Sequence, residues 1–241
     1  MELQLRPWEE YWSKNMKNKK NFLRNDGQLS HPSRVLISEY ASKFDTVLEC
    51  GCATAIDYPF HMNHGTKYTG IDITENFIIS SKEHNPGIDT RVASMLDLPF
   101  KDCSYDTVYC RAVLEHIHPL EWPLGVKEMW RVCDKQMILG IFNWRSNRSK
   151  PITFGKREKP EQTRSILERM MKEETEVGTS LGGVYNNGIC EPDIIDVIKW
   201  VGGESWEKKE VGGPITVKIN GQTVKKRSLW KKYHIYIVKK E

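Results

Sequence analysis

The stretch that most constrains the fold is residues 44–55, Phe44-Asp45-Thr46-Val47-Leu48-Glu49-Cys50-Gly51-Cys52-Ala53-Thr54-Ala55. Its short apolar run, with β-branched Thr46 and Val47, reads as a buried strand, and an acidic residue, Glu49, stands where that strand ends. Small residues follow at every second position: Gly51, Ala53 and Ala55. Small side chains there let the backbone turn sharply out of a sheet and let a ligand approach the main chain. The next segment then opens a helix whose free amides point back at that ligand. The pattern predicts a nucleotide-type ligand on a doubly wound α/β sheet without saying which ligand. An ordinary strand-to-helix turn is the plainer alternative.

At 241 residues the chain is long enough for one α/β domain with a full core and some insertions. Lys plus Arg is 36 and Asp plus Glu 32, a formal charge of +4 that neither demands nor excludes nucleic acid. A hydrophobic fraction of 39% among many charges fits a soluble globular protein, and no apolar run approaches the roughly 20 residues of a membrane span. The first residues carry early acids and no apolar core, unlike a signal peptide. Several of the six cysteines fall in strand-like runs, and Cys50-x-Cys52 has no second pair at zinc spacing, so no metal site is expected. They fit a reduced, cytoplasmic setting.

Along the chain, residues 1–32 read as an N-terminal helical arm with Trp8, Tyr11 and Trp12 on one side and a lysine run after them. Those aromatics either pack on the core or cap a substrate cleft. Residues 33–241 form the main domain, beginning with a helix over 33–42 that leads into the first strand. A helix follows over 56–64, then a second strand over 68–73 with Asp72 at its tip, 23 residues beyond Glu49. A carboxylate there accepts hydrogen bonds from both ribose hydroxyls in dinucleotide-type sites; capping of the next helix is the alternative role. Helix 75–83, strand 90–93, a strand ending at Cys110, helix 119–133 and strand 136–142 continue the alternation, which predicts a parallel sheet. Residues 145–190 read as an insertion, helical over 160–176, with a polar-aromatic loop at Tyr185, Asn186 and Asn187. A helix over 191–200, a β-hairpin over 215–225 on an Asn220-Gly221 turn, and a strand over 234–239 complete the chain.

The second half of this block carries Leu98-Pro99-Phe100, then Ser104-Tyr105-Asp106 with Val108, then Val113-Leu114-Glu115-His116. With the acidic strand end, the small-residue loop and Asp72 before them, these motifs resemble, over roughly residues 44–142, class I S-adenosylmethionine-dependent methyltransferases of the type 11 branch. The chain departs from the family at Ala53 and Ala55, which replace glycines, and at Ser94, where an Asp is usual. The resemblance implies a mostly parallel seven-stranded Rossmann-like sheet whose last strand is antiparallel beside the fifth. It implies S-adenosyl-L-methionine as cofactor and S-adenosyl-L-homocysteine as product. Glu49, Gly51 and Cys52 would lie near the methionine end, Asp72 and Ile73 at the ribose, and Ser94, Met95 and Leu96 at the adenine. Cys110 and Arg111 would line the methionine side. His116 would sit at the lip of the acceptor pocket, as a general base or as a packed loop histidine.

The chemistry needs a methyl sulfonium held in line with the acceptor atom and water kept out, not one fixed catalytic residue. The leading expectation is methylation of a small-molecule or glycan-like acceptor at oxygen or nitrogen. Trp8, Tyr11, Trp12, Tyr185, Asn186 and Asn187 would form the acceptor walls. Two other classes compete: an RNA or protein methyltransferase docking through Lys225, Lys226 and Arg227, and a non-catalytic cofactor-binding module.

Overall fold

A computed structural model describes residues 32–118, 120–141, 189–212, 215–219, 222–226 and 233–240. Strand β1 (Thr46–Cys50) lies deep in a sheet because Val47, Leu48 and Cys50 are apolar on both faces. It pairs in parallel with β2 (Lys67–Asp72) on one side and β4 (Tyr105–Arg111) on the other. Parallel pairing continues from β2 to β3 (Asp89–Val92) and from β4 to β5 (Cys133–Ile141). Beyond β5 come the antiparallel last strand β9 (Tyr233–Lys239) and then β6 (Ser205–Val211), giving the order β3-β2-β1-β4-β5-β9-β6. The α/β sheet is therefore seven-stranded, mostly parallel, with an antiparallel last strand beside the fifth.

Alternate residues of β1 face two apolar layers. Leu48 and Cys50 join the first cluster, covered by Trp122, Val126, Met129 and Val132 of α4 (Trp122–Val132) and by Ile194, Val197 and Ile198 of α5 (Glu191–Trp200). Val47 faces the second, closed by Ile37 and Ala41 of α1 (Pro32–Ala41). Two further helices bracket β2: α2 (Tyr58–Asn63) before it and α3 (Glu75–His84) after it. Pro59 occupies the first turn of α2, which makes that helix shorter than the 56–64 segment expected.

Two register pins explain motifs read in the sequence. Asp106 accepts hydrogen bonds from the main-chain N–H of Thr46 (3.0 Å) and from its hydroxyl (2.8 Å), aligning the starts of β1 and β4. Arg131 of α4 donates to the carbonyls of Leu98 and Phe100, both at 2.9 Å, and to the carboxylates of Asp102 and Glu128, both at 2.7 Å. The Leu98-Pro99-Phe100 segment is thus fastened to the helix that follows it.

The sequence reading did not foresee β6. Glu207, Lys208, Lys209 and Glu210 fill its middle, and charges of that density read as a solvated loop. As an edge strand it carries them as protection, with Lys208 paired to Glu191 at 2.7 Å. Strand β5 also begins three residues earlier than expected, because α4 runs straight into it at Cys133. Strands β7 (Ile215–Ile219) and β8 (Gln222–Lys226) form a separate two-stranded antiparallel sheet with Ile219 opposite Gln222. The expected turn at Asn220-Gly221, the arm before Pro32 and the helix over 160–176 lie outside the described residues.

Candidate functional site

The parallel strands end side by side. Glu49 and Cys50 of β1 lie opposite Gly70 and Ile71 of β2 and opposite Tyr109 and Cys110 of β4, while Asp72 lies opposite Val92 of β3. The segments at Gly51, Asp72, Ser94 and Arg111 therefore emerge along one sheet edge. In this strand order the chain reverses its direction of growth between β1 and β4, where open α/β sheets bind their ligands.

The turn out of β1 keeps a glycine-like backbone at all three small positions: φ is +76° at Gly51, +49° at Ala53 and +55° at Ala55. A left-handed alanine costs about 1–2 kcal/mol. The three sites differ in the room they leave. A Cβ on Gly51 would lie 2.4 Å from Val113 Cγ2, whereas the Ala55 methyl is enclosed in the second apolar cluster. The alanines at 53 and 55 thus keep left-handed backbone with their methyl groups in place, and Gly51 has no space for one.

Contacts from β2 hold the turn. The main-chain N–H groups of Gly51 and Cys52 both donate to the Ile71 carbonyl at 2.8 Å. Asp72 Oδ2 accepts from the Ala53 N–H and Oδ1 from the Thr74 N–H, each at 2.9 Å. Of the two roles the sequence left open, these contacts lie on the helix side, at the N–H of Thr74 just before α3, and the same carboxylate also ties down the turn out of β1. Burial raises its pKa, and the amide hydrogen bonds oppose that rise.

Glu49 is buried on the α1 side of β1. The Tyr68 hydroxyl donates to its Oε2 at 2.5 Å. A Cβ on Gly70 would stand 2.7 Å from that hydroxyl and 2.9 Å from Cys52 Sγ, so the missing side chain makes the approach possible. Burial pushes the Glu49 carboxyl up, against the Tyr68 hydroxyl and the charges of Arg34 and Arg111. Beside it, fully buried His61 places Nε2 3.0 Å from the Tyr109 hydroxyl, and burial pushes its pKa down to about 4. Arg34 on α1 forms a buried ion pair with Asp57, and Arg111 Nε lies 3.8 Å from the other Asp57 oxygen. Burial, with the like charge of Arg111, lowers the Arg34 pKa to about 10.

On the far side, the Ser94 hydroxyl oxygen accepts the Leu96 N–H at 3.1 Å, so it shapes its own turn. Leu96 and Ile73 are half-buried. The side chains of Met95 and Cys110 belong to the first apolar cluster, leaving their main chain at the edge. Cys52 is buried, its thiol 3.6 Å from the Ala53 carbonyl. Arg111 donates to the Tyr233 hydroxyl at 3.4 Å, joining β4 to β9. His116 is half-buried at the end of a 3-10 turn, Leu114–His116, and Glu115 beside it is buried. Trp8, Tyr11, Trp12, Tyr185, Asn186 and Asn187 lie outside the described residues.

The sequence reading missed Arg34, Asp57, His61, Tyr68, Gly70 and Tyr109. One signal was present: Arg34 shares a helical stripe with Ile37, Ser38 and Ala41, where a charge requires a buried partner.

Residues 48–139 match the family model described as a methyltransferase domain. Over those residues the chain carries a methyltransferase domain of the class I S-adenosylmethionine-dependent type. The chain is 35% identical over 88 residues to an uncharacterised protein of Methanocaldococcus jannaschii, an alignment covering 36% of this chain and 37% of that one. The chain thus spans little more than a third of the length of the curated relative it matches. Among solved structures, the chain is similar to the 1,6-didemethyltoxoflavin-N1-methyltransferase of Burkholderia thailandensis. There the TM-score is 0.61 and the identity 8%, covering 97% of this chain and 87% of that one. It is also similar to the magnesium protoporphyrin IX methyltransferase of Synechocystis, with TM-score 0.51 and 14% identity over 87% and 78% of the two chains. A third match is the YcgJ protein of Bacillus subtilis, with TM-score 0.56 and 14% identity over 87% and 98%. At these identities the likeness is one of fold.

Proposed function

We propose that the protein transfers a methyl group from S-adenosylmethionine to an oxygen or nitrogen of a small organic or glycan-like acceptor. One observation carries this reading: Glu49, the left-handed turn at Gly51, Ala53 and Ala55, the Asp72 carboxylate and the Ser94 turn all emerge at one edge of adjacent parallel strands.

These residues suit the cofactor's parts. Asp72 offers its carboxylate to the ribose hydroxyls, while its bonds to Ala53 and Thr74 fix its orientation. Glu49, held by Tyr68, gives a carboxylate for the amino end, and the Ser94 turn with Met95 and Leu96 borders the adenine. When bound, the cofactor supplies an electrophilic methyl on a positive sulfur. The protein's part is to fix that methyl in line with the acceptor and keep water out. His116, five residues beyond Arg111 at the end of the 3-10 turn, is the residue proposed to take the acceptor's proton.

The preference for a small acceptor draws on two structural relatives. One was solved with bound 1,6-didemethyltoxoflavin and S-adenosylhomocysteine, and another is a methyltransferase for magnesium protoporphyrin IX. Aromatic and amide residues, Trp8, Tyr11, Trp12, Tyr185, Asn186 and Asn187, supply the acceptor walls on sequence grounds. Among the described residues no helix is long and apolar enough to cross a membrane. The six cysteines are free thiols, which fits a reducing, cytoplasmic setting.

The test is methyl transfer from labelled S-adenosylmethionine into fractionated small molecules and into RNA, with full-length protein and with residues 1–20 removed. Label in small molecules that is lost on truncation, with cofactor binding retained, supports the reading. Label in RNA, with binding that weakens steeply with salt and with neutralisation of Lys225, Lys226 and Arg227, would replace it by the nucleic-acid reading.

A further inference from the structure

The turn that follows β1 holds two alanines in the left-handed region, and an unaided chain would relax out of it. Its near end is tied to β2 by the Ile71 carbonyl and by Asp72. Its far end is held from the opposite direction. Asp57, two residues past Ala55 and immediately before α2, is 1% exposed and accepts a hydrogen bond from Arg34, itself 4% exposed. Arg111, from the end of β4, flanks the second Asp57 oxygen at 3.8 Å. One carboxylate thus joins α1, the turn and the tip of β4. Between these anchors the turn closes on itself, the Ala55 N–H donating to the Cys52 carbonyl at 2.8 Å and the Tyr58 N–H to the Ala55 carbonyl at 3.2 Å.

As stabilisation alone, this arrangement is a poor solution. An enclosed ion pair is often no better than two well-packed apolar side chains. Here Arg34 Nε and Asp57 Oδ2 are also enclosed without a hydrogen-bond partner. What the pair supplies, and an apolar contact would not, is a fixed direction at the end of a strained turn.

We propose that Arg34 and Asp57 are positioning residues for the cofactor: their buried pair fixes the far end of the 51–57 turn and thereby sets the affinity for S-adenosylmethionine. The inference rests on the cofactor reading above and adds to it two residues that touch the turn, not the ligand. Because the pair acts by holding left-handed alanines in place, its effect is coupled to them. Glycine at position 55, which adopts that backbone without strain, makes the pair less necessary.

The experiment is a double-mutant cycle read by calorimetric titration of S-adenosylhomocysteine, with thermal unfolding followed on the same samples. The variants are Arg34→Met, Arg34→Lys and Asp57→Asn, each with and without Ala55→Gly. Arg34→Met and Asp57→Asn should weaken binding tenfold or more in protein that still unfolds cooperatively well above the assay temperature, and Arg34→Lys should recover part of the loss. Ala55→Gly should raise affinity at least threefold more in the Arg34→Met background than in the wild type. If a single variant does not fold, the double variant Arg34→Met/Asp57→Leu, which removes both charges of the pair, carries the test and should fold yet bind at least tenfold more weakly. Folded variants that bind within twofold of wild type, or a cycle with no coupling to position 55, would overturn the proposal and leave the pair a stability element. Wild-type protein that fails to bind S-adenosylhomocysteine would overturn the cofactor reading and this inference together.

Discussion

Asp72 at the tip of β2 accepts the main-chain N–H of Ala53 at 2.9 Å, so its carboxylate shapes the turn out of the neighbouring strand. Under the proposed function the same residue both holds the ribose and builds the loop. Replacing it should therefore do two things at once. Asp72→Ala should weaken S-adenosylhomocysteine by about 2 kcal/mol or more, through the lost charged acceptor. It should also free the Ala53 amide, detectable as faster hydrogen exchange at that site. Unchanged affinity in a folded Asp72→Ala protein would remove this residue from the site.

The three small positions of the turn should respond differently to side-chain volume. Gly51→Ala adds a methyl 2.4 Å from Val113 Cγ2 in a left-handed backbone and should cost about 2–4 kcal/mol of stability. Ala53→Gly relieves strain without opening a gap in the core, so cofactor affinity should change by less than tenfold, about 1.4 kcal/mol. Chemical denaturation and titration of the two variants check this. A hundredfold gain in Ala53→Gly would mean that the alanines had degraded the site, favouring a binding module without catalysis.

Gly70 makes a third prediction. Its missing side chain lets the Tyr68 hydroxyl reach Glu49, so Gly70→Ala should break that 2.5 Å hydrogen bond and press on Cys52. A stability loss of about 1–3 kcal/mol is expected, the range for overpacking a filled site. Tyr68→Phe removes the hydroxyl alone and should cost about 1–3 kcal/mol, since Glu49 is left buried without that donor. Neutral behaviour of both variants in denaturation would show that Glu49 does not depend on Tyr68.

Much of this arrangement was legible in the sequence. Glu49, Gly51 and Asp72 stand at strand ends, where local pattern and backbone demand coincide, and the alternation of strands and helices fixed the parallel sheet. The turn at Ala53 and Ala55 was legible only as a question, because whether a left-handed site has room for a methyl depends on residues distant in the chain. Arg34 and Asp57 are 23 positions apart and meet only once α1 has docked. Read locally, each is a surface charge. Strand β6 was hidden for a related reason, since its charged middle is intelligible only at the edge of a sheet whose other strands are already in place.

Acid should expose the buried histidine. The His61 pKa falls from about 6.5 in an unfolded chain to about 4 in the folded protein. Between those values the unfolded state binds a proton that the folded state does not, so stability is lost as pH falls from about 6.5 towards 4, by about 3 kcal/mol in all. Glu49 and Asp72 have raised pKa values and push in the opposite direction, so the comparison is best made by difference. Urea denaturation of wild type and His61→Phe across this range should show a flatter acid limb in the variant. Parallel limbs would mean that His61 is protonated without penalty in the fold.

The central claim is that this sheet edge binds S-adenosylmethionine and its product, and does not bind a dinucleotide. Calorimetric titration of one wild-type preparation with S-adenosylhomocysteine and with NADH tests it most directly. The structure predicts one saturable site for S-adenosylhomocysteine, weakened in Asp72→Ala, and no binding of NADH. Saturable NADH binding with none for S-adenosylhomocysteine would contradict the account.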